Sequence, residues 1–120
     1  MSRRTDFPPP VVEIVDERAG GRCERCGEIA SDLQNHHRRP RGSGGSRRPD
    51  TNVASNAGRL CGLCHRTVES YRAKAYDEGW LVRQSQSPMA TPVLYRGRWV
   101  LLDDLGDTYR IPTPTGDVAS

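Results

Sequence analysis

Two Cys-x-x-Cys pairs, Cys23/Cys26 and Cys61/Cys64, bracket the adjacent histidines His36 and His37, and His65 follows the last cysteine directly. These are all the cysteines and histidines of the 120-residue chain. Thiolate and imidazole are the usual protein ligands of zinc, and imidazole also gains or loses a proton near neutral pH. Two cysteines three apart on a tight turn can aim both sulfurs at one ion, and Gly27 lets the backbone reverse after the first pair. Four cysteines complete a four-coordinate structural zinc by themselves. The histidines are then left over, to hold a second ion or to act as bases. Taken singly, each histidine reads better as a spare zinc ligand or an exposed side chain. Their conjunction is what points to chemistry.

Composition says why a staple is needed. Val, Leu, Ile and Phe number 21, too few for a large apolar core, while a net charge of only +3 argues against disorder. No apolar run resembles an export signal or a membrane span, so a cytoplasmic, reducing location without membrane contact is expected. There, paired Cys-x-x-Cys motifs favour zinc over disulfides. Charge is clustered as well: between His36 and Arg66 stand seven arginines and one acid, Asp50. The preference for arginine over lysine is a bias of the whole chain, but the clustering is local, and it suggests a polyanion such as nucleic acid. Arg38, Arg39, Arg41, Arg47 and Arg48 are the expected phosphate contacts, with Arg59 and Arg66 behind them; the plainer alternative is a solvated loop.

Several elements must position these residues. Residues 1–9 read as a disordered arm. A short helix over about 10–19 follows Pro8–Pro10, stops at Gly20-Gly21 and is expected to pack on the zinc module. Leu33–Arg39 reads as a first strand carrying His36 and His37, the glycine-rich 40–49 as a loop, and 52–60 as a second strand or extended segment. Cys64 should sit in the first turn of a helix that ends at Gly79. Trp80–Arg83 is a strand candidate. Residues 84–92 are linker-like, and a β-hairpin turning near Arg96–Arg98 follows, with a further strand at Thr108–Ile111. Residues 112–120 read as a loose tail. Trp80 and Trp99 read as core.

The order Cys-x-x-Cys, His-His, glycine-rich loop, Asn56 five residues before Cys61, then Leu-Cys-x-x-Cys-His resembles the HNH nuclease family. The stretches HRTVESYRAKAYDEGWLV and PVLYRGRWVLLDDLG are similar to small HNH proteins of actinobacterial phages and prophages. The resemblance implies a small α+β fold: a ββα-metal finger stapled by a four-cysteine structural zinc, with a short N-terminal helix and a C-terminal β-hairpin. The nuclease domain would occupy 10–83 and the hairpin extension 84–111. It implies a metal-dependent endonuclease acting on double-stranded DNA and leaving 5′-phosphate and 3′-hydroxyl ends, in phage packaging beside a terminase, in homing or in restriction. His37 would be the general base, oriented by Asn56. His36 and His65 would hold a divalent cation, magnesium or manganese, with nickel or zinc suited to two imidazoles. Glu69, four residues after His65, could be a further ligand, or a surface glutamate paired with Arg66 or Arg72. A non-catalytic zinc-finger DNA-binding or adaptor module is the alternative. Adjacent strand residues point to opposite faces, so His36 and His37 should not both reach one phosphate without a twist of the chain.

Overall fold

Proline opens the first helix and glycine closes it. In the computed structural model, which describes residues 7–41 and 48–114, α1 spans Pro9–Ala19. Its second proline falls in the first turn, where no backbone N–H is needed. Gly20 adopts the left-handed conformation at φ 63° and donates to Asp16 O, ending the helix. The expected arm 1–9 lies mostly outside the described residues. At its end, however, Phe7 is buried and Pro9 is already helical.

Strand β1 (Gln34–His37) pairs antiparallel with β2 (Ala57–Leu60), setting His36 opposite Gly58 and His37 opposite Ala57. A 3-10 turn, Ala54–Asn56, leads into β2. Helix α2 (Gly62–Ser70) begins at once, capped by the Cys61 sulfur, which accepts from Cys64 N. The helix expected to run on to Gly79 is broken at Tyr71 (φ −117°, ψ 65°), and α3 resumes over Arg72–Glu78. Gly79 ends α3 at φ 81°. A second antiparallel sheet follows in the order β3 (Val93–Tyr95), β4 (Arg98–Leu102), β5 (Thr108–Arg110). Arg96 and Gly97 both have positive φ, the primed two-residue turn that matches strand twist. The molecule is thus α+β, with three helices and two small antiparallel sheets among the described residues. No described helix is long and apolar enough to cross a membrane.

Trp80–Arg83 is not a strand. Its apolar residues Trp80, Leu81 and Val82 are buried without a ladder, and Val82 N donates to Arg38 O. The side chains of the β1–β2 ribbon alternate between two cores. On one face Leu60 and Trp80 belong to the larger core with Val68, Val93, Val100 and Leu102. On the other, Ala57 joins Phe7, Val15 and Ala54 under α1. Glu24, within the first cysteine pair and fully buried, ties the parts together. Its carboxylate accepts from Arg18 of α1, from Arg59 N of β2 and from the Tyr95 hydroxyl of β3.

Candidate functional site

The sulfurs of Cys23, Cys26, Cys61 and Cys64 lie within 4.8 Å of one another, and all four thiols are free. Metal–sulfur bonds of ~2.3 Å imply a tetrahedron with edges of roughly 3.8 Å, so the group can close on an ion such as zinc with small rotamer adjustments. Each pair is locally prepared: Cys26 N donates to Cys23 Sγ and Cys64 N to Cys61 Sγ, both at 3.4 Å. Arg25 Nη1 donates to Cys64 Sγ at 3.2 Å. Without a cation the thiols cannot ionise together. Burial pushes Cys64 up to about 12, and the charge of Cys23 adds to it. The donor set therefore fits a divalent ion, which would replace four competing protons.

The second group is His36, His65 and Glu69, one ligand atom of each again within 4.8 Å of the others. Both imidazoles are anchored through one nitrogen. His36 Nε2 lies 2.8 Å from Trp80 O, a carbonyl that can only accept, so Nε2 carries the proton and the Nδ1 lone pair faces Glu69. His65 Nδ1 lies 2.7 Å from Gln34 Oε1, leaving Nε2 for a ligand. Such oxygen partners behind imidazoles are the usual supports of metal-binding histidines. Burial pushes His36 down to about 4, so it is neutral and able to ligate at neutral pH. Glu69 Oε1 accepts from Arg72 Nη1 at 3.0 Å, across the α2–α3 break. Glu69 thus pairs with Arg72 and has a carboxylate oxygen within 4.8 Å of a nitrogen of each of the two histidines.

Strand alternation separates the histidine pair. His36 turns with Gln34 toward α2 and Trp80, while His37 turns toward α1, where its ring stacks on Phe7. Both still border one open cleft of about 360 Å³ with His65 and Glu69, whose cations are Arg41 and Arg72. His37 Nε2 lies 2.7 Å from Asn52 Oδ1. Asn56, fully buried, accepts from Arg39 N and donates to Arg39 O and Thr51 O. It thus holds the chain where β1 ends, while Asn52 is the asparagine beside His37.

The arginines divide sharply. Arg38 and Arg39, expected at phosphates, are 0% and 2% exposed. Arg38 spends its guanidinium on the carbonyls of Gly79, Ser55, Pro88 and Thr91. Burial pushes it down to about 9, still charged at neutral pH. Arg39 pairs with Asp50 and donates to Gln86 O. Neither can reach a ligand. Arg59 is held between Asp16 and Asn35. Arg48 is exposed and donates to Gln84 O; Arg66 is exposed on α2; Arg47 lies outside the described residues. Of the six described, Arg41 lines the cleft.

Gln34, Asn52, Phe7 and the Trp80 carbonyl were not among the expected site residues. Gln34 was within reach of strand alternation, since it shares a face with His36. The others are brought in by tertiary packing. Comparison with protein-family models, with curated proteins and with solved structures returned no match.

Proposed function

We propose that this chain is a metal-dependent endonuclease of the HNH kind, with β1, β2 and α2 as its ββα-metal finger. It would hydrolyse phosphodiester bonds of double-stranded DNA to 5′-phosphate and 3′-hydroxyl ends. The observation that carries this reading is the coexistence of two ligand groups: a closed set of four cysteines, and an open cleft where His36, His65 and Glu69 converge beside His37. A purely structural zinc module has no use for the second. The motif order around Asn56 supports the same reading.

In this reading His37 takes the proton of the attacking water. His36, His65 and Glu69 hold the divalent cation, and two imidazoles with one carboxylate suit manganese, nickel or zinc as well as magnesium. When bound, that cation neutralises the phosphate and stabilises the leaving 3′ oxygen. Asn56 keeps the end of β1 in place. Arg41 and Arg72 supply positive charge to the phosphates on either side. A cytoplasmic role in phage genome packaging with a terminase belongs to this proposal through the motif resemblance alone.

The test is plasmid cleavage by the zinc-loaded chain with each of the four divalent ions. Wild type is expected to nick or cut, and a folded His37→Ala chain to be slower by roughly 100-fold or more. Intact plasmid with every ion would transfer the chain to the class of zinc-bearing DNA-binding or adaptor modules. Equal cutting by His37→Ala would remove His37 as the base.

A further inference from the structure

Phe7, the one phenylalanine of the chain, is 8% exposed. It lies flat on the His37 imidazole, with ring centroids 4.0 Å apart and planes inclined by 12°. It stands just before α1 and shares its small core with Val15, Ala54 and Ala57. Ala57 is the residue opposite His37 in the β1–β2 ladder, so this core is built directly behind the histidine. A second constraint is Asn52, whose Oδ1 lies 2.7 Å from Nε2.

A histidine side chain has two rotations. A flat ring stacked on its face fixes the plane of the imidazole, and a hydrogen bond at one nitrogen fixes the orientation within that plane. Stacking occupies the face of the ring rather than its edge, and His37 borders the cleft shared with His36, His65 and Glu69. We propose that Phe7 is a positioning residue for His37, acting with Asn52 to aim the imidazole at the scissile phosphate, an inference that rests on the base role of His37. The segment that leads into α1 is then part of the reacting site, because it carries the aromatic face that aligns the base. A general base displaced by about 1 Å loses on the order of 100-fold in rate. Metal affinity is untouched, since Phe7 lies on the face of β1 opposite the ligand group.

Three full-length, zinc-loaded variants test this: Phe7→Leu, which keeps apolar bulk without the flat face, Phe7→Ala, and Phe7→Tyr, which restores the face. The ring protons of His37 are followed by NMR, and single-turnover plasmid cleavage is measured at saturating metal. Wild type and Phe7→Tyr are expected to show the upfield ring-current shift of His37, and Phe7→Leu and Phe7→Ala to lose it. Phe7→Leu should slow the chemical step by about 10- to 100-fold. The KM for DNA and the affinity for manganese should stay within about twofold, and Phe7→Tyr should restore the rate. Unchanged His37 shifts or an unchanged rate in Phe7→Leu overturns the proposal. So does a rate loss in Phe7→Tyr as large as in Phe7→Leu and tracking thermal stability, which marks Phe7 as core packing only. If wild type cuts no DNA, the nuclease reading fails, and the NMR shifts alone decide whether Phe7 sets the imidazole.

Discussion

Arg38 and Arg41 sit three residues apart, one with its guanidinium spent on four carbonyl groups, the other on the wall of the cleft. Their replacements should separate stability from binding. Arg38→Gln strands the carbonyls of Gly79, Ser55, Pro88 and Thr91 that this side chain ties together, at a cost of about 3 kcal/mol or more. At roughly 4–8 °C per kcal/mol, the thermal midpoint should fall by more than about 10 °C. Arg41→Gln should leave the midpoint within about 3 °C, weaken DNA binding and lower the salt slope by about 1. Melting curves and a salt titration of DNA affinity decide; the opposite pattern would reverse the two roles. The inward turn of Arg38 was not legible in the sequence. Its partners are main-chain oxygens 17 to 53 residues away, which any residue type supplies. The cysteine pairs and Gly20 were legible because their partners lie within a few residues.

Glycines that end elements differ in what surrounds them. A methyl group on Gly79 would stand 2.0 Å from Pro92 O, at φ 81°; on Gly97, at φ 83°, it would meet nothing within 4 Å. Gly97→Ala should therefore cost only the left-handed strain, about 1 kcal/mol, and Gly79→Ala about 3 kcal/mol or more, because the chain at Pro92 must move. Urea unfolding of the two variants checks this, and equal losses would mean that Pro92 yields easily. Both stops and the hairpin turn could be expected from glycine placement. The break at Tyr71 could not, since nothing in RTVESYRAKAY interrupts the helical pattern, and it is this break that Glu69 and Arg72 straddle. Trp80–Arg83 failed as a strand for a related reason. An apolar run signals burial, and here burial comes from packing between α3 and the second sheet rather than from a ladder.

The whole molecule depends on segments far apart in sequence meeting at the cysteines. With Cys61→Ser the four-sulfur set is incomplete, and Cys61 also caps α2. A chain this poor in aliphatic residues should then lose both bound zinc and its helical circular dichroism, because binding and folding are coupled. Zinc content and far-UV spectra check it; a folded, zinc-free variant would show that the two apolar cores suffice. Between those cores runs β1, with His36 facing one and His37 the other. Side-chain direction reverses at every residue of a strand, so one residue inserted or deleted ahead of His36 in β1 would exchange the two imidazoles between the halves of the molecule. Such a chain would keep every cysteine and histidine and lose the site. Point substitutions remove one function at a time, whereas a change of length by one removes the correspondence between them. Descendants of this sequence can therefore vary β1 in identity more readily than in length.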